Sequence, residues 1–206
     1  MKNLGIGLVL TFLTLNSFAQ GSAATMQSSH ESIFTKKQKI DQEGIELYGT
    51  NWDMKSVKKL GLGVTIGGAT GLLGLNGEVN LDPSEALVVG LGAGPSYGTF
   101  GLGWKHNFEG NYLSPYTKLG YSKWFSSASG SGSASDSDVL KRLFSDAELK
   151  SNRFDADFII GGGGIEYNQL EGDLAGVNFF GEVIVMSEIR KFTFIPTGAV
   201  GITYYY

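Results

Sequence analysis

Leu73-Gly74-Leu75-Asn76-Gly77-Glu78-Val79-Asn80-Leu81 alternates in character residue by residue. Leu73, Leu75, Val79 and Leu81 share one parity, while Asn76, Glu78 and Asn80 share the other. A period of two is the mark of a strand with one apolar face. The same sorting works outward along the chain, in segments 59–67, 86–94, 97–108, 115–125, 157–168 and 177–188 and in the closing run to Tyr206. Leu60, Leu62, Val64 and Ile66 line up in the first of these, Phe100, Leu102, Trp104 and Phe108 in another, and Val200, Ile202, Tyr204 and Tyr206 in the last. Eight strands are predicted between residues 58 and 206.

The second face decides which way the strands point. It is dominated by glycine, of which the chain has 31 in 206 residues, about twice the usual share. It carries roughly one charge per strand, too few to solubilise an outer surface, whereas glycine suits a crowded interior. Turned inside out, the pattern is that of a membrane barrel, with the bulky face in lipid and the small-polar face in the lumen. Closure is then obligatory, because an open sheet edge in hydrocarbon leaves backbone groups unpaired. The opposite orientation would give a soluble ligand-binding barrel. Lys59, Glu78, Lys105, Lys118, Glu166 and Glu182 fall on the lumenal parity, three of each sign. Buried charges persist when paired, so a salt-bridge network is expected, with an ion-selective path as the alternative.

Connection lengths agree with an even strand count. The links 82–85, 109–114 and 170–176 are short, and the one long insertion, 126–154, falls among the alternate connections. Membrane barrels place short turns on the periplasmic side and longer loops outside. Within the long loop, Val139, Leu140, Leu143 and Phe144 make an apolar stripe on a short helix. Two readings stand: a helix folded onto the barrel rim, or an exposed stripe for a surface protein or a host or prey ligand.

Ahead of the barrel, Met1-Lys2-Asn3, an apolar stretch over 4–15 and Ser17-Phe18-Ala19 have the layout of a secretory signal peptide, 1–19, cut near Ala19. Residues 20–57 read as a polar periplasmic tail, with a short helical stretch and an extended piece around 45–52. No apolar run approaches the roughly 20 residues of a membrane helix.

This combination resembles the small outer-membrane β-barrels of Gram-negative bacteria. The residues that carry the resemblance are the leader, the glycine-rich alternating segments such as 74–81, and the terminal Tyr204-Tyr205-Tyr206. It is a resemblance of pattern over about residues 58–206. It implies an all-β, eight-stranded, antiparallel up-and-down transmembrane barrel surrounded by outer-membrane lipid. It also implies that Tyr204 and Tyr206 belong to a C-terminal signal for the barrel-insertion machinery.

Composition removes several functions. With no cysteine there are no disulfides, thiolate metal sites or thiol nucleophiles, and the formal charge of −4 argues against nucleic acid as a partner. The glycine clusters 61–63 and 161–164 lack the Gly-Lys-Ser/Thr ending of a phosphate loop, so no cofactor is expected. The two histidines are His30, in the tail, and His106, on the lipid-facing parity beside Trp104 and Phe108. Asp157 with Ser126 or Ser127 has no base at a matching position, so no catalysis is expected. The expected function is a monomeric envelope structural or surface-interaction protein. The alternatives are a narrow passive, porin-like channel and a membrane-embedded lipid-modifying enzyme.

Overall fold

The computed structural model of the chain describes residues 45–126, 138–146, 149 and 154–206. The leader, the tail up to residue 44, His30, Ser127 and most of the long loop lie outside the described residues. Eight antiparallel strands close into one barrel in sequence order: β1 (Leu60–Gly67), β2 (Leu73–Asn80), β3 (Glu85–Gly94), β4 (Tyr97–Asn107), β5 (Leu113–Ser126), β6 (Asp155–Asn168), β7 (Val177–Glu188) and β8 (Phe194–Tyr205). The seam is made by β1 and β8, with Leu62 opposite Tyr204 and Val64 opposite Ile202. Helix α1 (Asn51–Val57) precedes the barrel, and α2 (Asp138–Leu143) lies in the connection between β5 and β6.

Orientation follows the alternation. Leu75, Leu119 and Val183 are 64%, 65% and 69% exposed, whereas the lumenal Glu166 and Lys105 are 1% and 5% exposed. In water each bulky apolar side chain left outside forgoes about 1.5–3 kcal/mol of burial. Rows of them around a closed sheet suit hydrocarbon. Near the short turns the exterior becomes aromatic, with Tyr112 stacked on Tyr167 at 6.2 Å and Tyr167 beside Phe179 at 6.5 Å. Trp104, Phe108, Tyr204 and Tyr206 are exposed around the same end. That is where a membrane barrel carries an aromatic girdle.

The lumen differs from the expected uniform small-polar filling. At the end of the short turns it is polar, as the parity suggests. Towards the long-loop end the same inward face becomes large and apolar: Trp124, Ala156, Phe158, Ile160, Ile184, Met186 and Ile195 are buried there. Counting parities over a whole strand hides this, because both faces carry bulky residues at those strand ends. β5 and β6 each run 14 residues, more than the roughly 9–11 needed to cross a bilayer. The surplus extends beyond hydrocarbon and packs as an ordinary protein core. The exterior changes with it, because Lys123, Asp155, Asp157 and Arg190 sit outside at this level, with Lys123 3.4 Å from Asp157 and Arg190 3.4 Å from Asp155.

Candidate functional site: an occluded lumen

The short-turn mouth is filled by the chain just ahead of β1. Thr50 caps α1 by accepting from the Asp53 amide at 3.2 Å. Asn51 fixes the helix to the β4–β5 turn, donating to the Phe108 carbonyl at 3.0 Å and accepting from the Gly110 amide at 2.9 Å. The Trp52 indole donates to the Asn107 carbonyl at 3.1 Å. Upstream, Leu47 bridges to Glu171, and the Tyr48 amide donates to the Leu170 carbonyl at 2.9 Å. Met54 packs with Tyr48, Leu170, Ala175 and Tyr205. The segment read as the end of a polar tail is thus a plug. Its buried positions, Asn51, Met54, Lys55 and Lys58, recur at helical spacing, but only Met54 among them is apolar, so the sequence carries no amphipathic signal for the plug.

Lys55 reaches from this plug into the lumen. Its Nζ donates to Asn107 Oδ1 at 2.7 Å and to Glu166 Oε2 at 2.9 Å. Glu78 Oε1 lies 3.7 Å away, and the ring of Tyr205 is 5.2 Å from the ammonium. Behind it Lys105 donates to Glu78 Oε2 at 2.9 Å and to Glu166 Oε1. The Tyr205 hydroxyl donates to Glu78 Oε1 at 2.8 Å. Further along, Glu182 accepts from the Tyr116 hydroxyl at 2.9 Å and from Lys118 at 3.3 Å. Of the residues expected in the network, Glu78, Lys105, Lys118, Glu166 and Glu182 come together. Lys59 does not. It stands half-buried one residue before β1, and Lys55 takes its place in the balance of charges. Among the described residues of this network three ammonium groups meet three carboxylates, and at the mouth the buried Lys58 pairs with Glu46 at 2.8 Å.

Between the charged layer and the long-loop end the lumen retains a cavity of about 20 Å³, bounded by residues including Asn76, Glu78, Lys105, Lys118 and Glu182. That is room for roughly one water molecule. Above it the turn after β1, residues 68–70, folds inward. The Ala69 carbonyl accepts from Ser122 Oγ at 2.9 Å and from the Trp124 indole at 3.0 Å, and the Thr70 carbonyl accepts from Thr99 Oγ1 at 3.0 Å. Gly92 is required beneath it, because a Cβ there would overlap the Thr70 carbonyl oxygen. Tyr97 stacks on Trp124 at 4.9 Å, and Trp124 meets Phe158 edge-on at 5.7 Å.

Helix α2 completes the cap. Leu140 and Leu143 are buried against this aromatic and aliphatic cluster, and Val139 and Phe144 pack on it while half-exposed. The stripe packs on the barrel rim. Leu140 and Leu143 face inward, Val139 and Phe144 are partly covered, and Lys141 and Arg142 are exposed.

The remaining candidates lie on the outside. His106 is at the short-turn rim with Nδ1 2.6 Å from Glu85 Oε1 and its ring edge-on to Phe108 at 4.8 Å. Trp104 donates to the same Glu85 carboxylate. Next to it, the Ser84 hydroxyl donating to Asp82 Oδ1 at 2.7 Å holds the Asp82 carboxyl below the usual carboxylate range. Asp157 is bonded to Tyr121 and Lys123, on the barrel exterior. Tyr204 and Tyr206 point outward, while Tyr205 between them is buried. A hollow of about 640 Å³ is also external, floored by Gly163, Gly181 and Gly198 between Ile66, Ile165, Val183 and Val200. Among the described residues no group of acidic and histidine side chains is placed to hold a metal.

No protein-family model matches the chain, and no curated protein does. Among solved structures it is similar to the N-terminal β-barrel domain of Pseudomonas aeruginosa OprF, with 13% identity and a TM-score of 0.46 over 71% of this chain and 98% of that one. It is also similar to the Yersinia pestis outer membrane protein Ail in a phospholipid bilayer nanodisc, with 10% identity and a TM-score of 0.39 over 72% of this chain and 99% of that one. These are likenesses of chain path. The architecture of this protein stands on its own strand pairing and exterior.

Proposed function

We propose that this protein is a monomeric outer-membrane barrel with a closed lumen, and that it serves as a structural or surface-interaction component of the envelope without catalysing a reaction. The observation that carries this reading is the double occlusion. Lys55 and its ion pairs fill one half of the lumen, and Trp124, Phe158, Leu140 and Leu143 fill the other. The lumenal cavity bounded by Asn76, Glu78, Lys105 and Lys118 has room for about one water molecule, which supports the closed reading. The purified protein in planar bilayers is expected to show no unit conductance. Steady unitary steps would overturn the closed reading in favour of a narrow channel.

The supporting expectations follow from the exterior. Residues 1–19 act as a leader cut near Ala19, and the outward Tyr204 and Tyr206 contribute to recognition by the barrel-insertion machinery. Replacing both with Ala should lower the amount of barrel recovered in the outer membrane. Any surface partner engages the loop 126–154 through its polar side, since the apolar side of α2 is occupied. His106 serves as an interfacial residue, so His106→Ala should leave membrane lipid composition unchanged.

A further inference from the structure

The contacts of Lys55 form a complete receptor for its charge. A primary ammonium has three N–H donors and no acceptor. Here it finds a carboxylate oxygen of Glu166 at 2.9 Å, an amide oxygen of Asn107 at 2.7 Å, a second carboxylate 3.7 Å away in Glu78, and an aromatic face in Tyr205. The side chain is fully buried. Without its ammonium, the carboxylates of Glu78 and Glu166 would have Lys105 as their one cation, and the site would carry an uncompensated negative charge at a cost that burial makes large. The helix that delivers Lys55 is anchored separately. Asn51, Trp52 and Tyr48 hold it to the turns after β4 and β6 through bonds that do not involve the Lys55 side chain. Shortening Lys55 therefore empties a bounded site and leaves its walls attached.

We infer that the short-turn half of the lumen is a binding site for a primary alkylammonium group, which the chain fills in cis with Lys55. The lysine is a tethered ligand, and the site retains the chemistry to bind the same group supplied in trans. Selectivity follows from the acceptors. Neither a sodium ion nor tetramethylammonium has an N–H to donate to the oxygens of Asn107 and Glu166.

The test uses the full chain folded in detergent micelles, as wild type, Lys55→Ala and Lys55→Met. Thermal unfolding is followed by heat-dependent gel migration with n-propylammonium chloride, tetramethylammonium chloride or sodium chloride at equal concentration. Lys55→Ala is expected to melt below wild type and to recover most of that loss in n-propylammonium alone. Wild type and Lys55→Met, whose site is already filled, are expected not to respond. Should Lys55→Ala not fold unaided, its refolding yield is the readout, and n-propylammonium is expected to raise it several-fold over sodium chloride. The inference is overturned if n-propylammonium does no better than the other salts. It is equally overturned if wild type or Lys55→Met gains as much.

Discussion

The two halves of this barrel are built on opposite rules from the same strands. In the short-turn half the outside is apolar and the inside charged, with Leu119 and Ile165 facing out and Glu78, Lys105 and Glu166 facing in. In the long-loop half the outside carries Lys123, Asp155, Asp157 and Arg190, and the inside holds Trp124, Phe158, Ile184 and Met186. The reversal is visible within one strand. On β5, Leu119 faces out and Lys118 in, but a few residues on, Lys123 faces out and Trp124 in. The short-turn half turns its apolar side chains to lipid, whereas the long-loop half gathers an apolar core inside while Phe125, Ile189, Phe192 and Phe194 remain exposed beside its external charges. The changeover marks where the barrel leaves the bilayer.

Breaking the polar half should have the largest effect. Glu166 accepts from both Lys55 and Lys105 while buried. Glu166→Ala leaves two buried ammonium groups to share the single carboxylate of Glu78, and removing one partner of a buried pair costs about 3–5 kcal/mol. Denaturant unfolding in micelles should show that loss, and a cost below about 1 kcal/mol would mean the lumen is well hydrated.

The apolar half should respond through packing. Leu140 and Leu143 are the α2 side chains that close it, and truncating a buried leucine to Ala costs about 2–5 kcal/mol, with the low end expected where a rim helix can settle into the space. Leu140→Ala should therefore destabilise the long-loop end, read as faster proteolysis between β5 and β6, while α1 stays protected. Equal loss of protection at both ends would show that the halves unfold as one unit.

How much of this was legible beforehand depends on the range of the interaction. The strands and their orientation were readable, because a period of two with glycine opposite Leu, Val and Phe is a local pattern. The aromatic setting of His106 and Trp104 followed from the same parity. The apolar upper lumen was not readable from strand averages, since Phe158 and Ile160 share a parity with Gly162, Gly164 and Glu166 further along β6. Lys55 was missed for a different reason. Its helix is only two turns long, and its partner Glu166 is 111 positions away, so nothing local distinguishes it from a solvated lysine.

The changeover itself can be located with arginine substitutions along the outward face of β5. Arginine on the lipid side costs about 2–4 kcal/mol at the bilayer midplane and falls to about 0–1 near the interfaces. Leu119→Arg should fall near the high end and Tyr121→Arg near the low end, because Tyr121 already bonds to Asp157 among the external charges. Refolding into vesicles across a urea series gives both values. Equal penalties would move the boundary above Lys123 and undo the division drawn between the halves.

The smallest effect is expected at the short-turn rim, from a group outside the spanning strands. Asp82 accepts from the Ser84 hydroxyl and amide and from the Glu85 amide, the hydroxyl bond being the main cause of its depressed carboxyl pKa. A carboxyl held lower when folded than unfolded stabilises the fold at pH values above its unfolded pKa of about 4, and that stabilisation fades as pH falls through the folded value. Asp82→Asn should therefore melt slightly below wild type at neutral pH, and the gap should narrow on acidification as the wild-type carboxyl takes up its proton. The residue is exposed, so the difference should be small beside that of Glu166→Ala. A gap that instead widened towards low pH would mean that Asp82 is unfavourable in its charged form, and that the turn bonds from Ser84 and Glu85 do not stabilise its carboxylate.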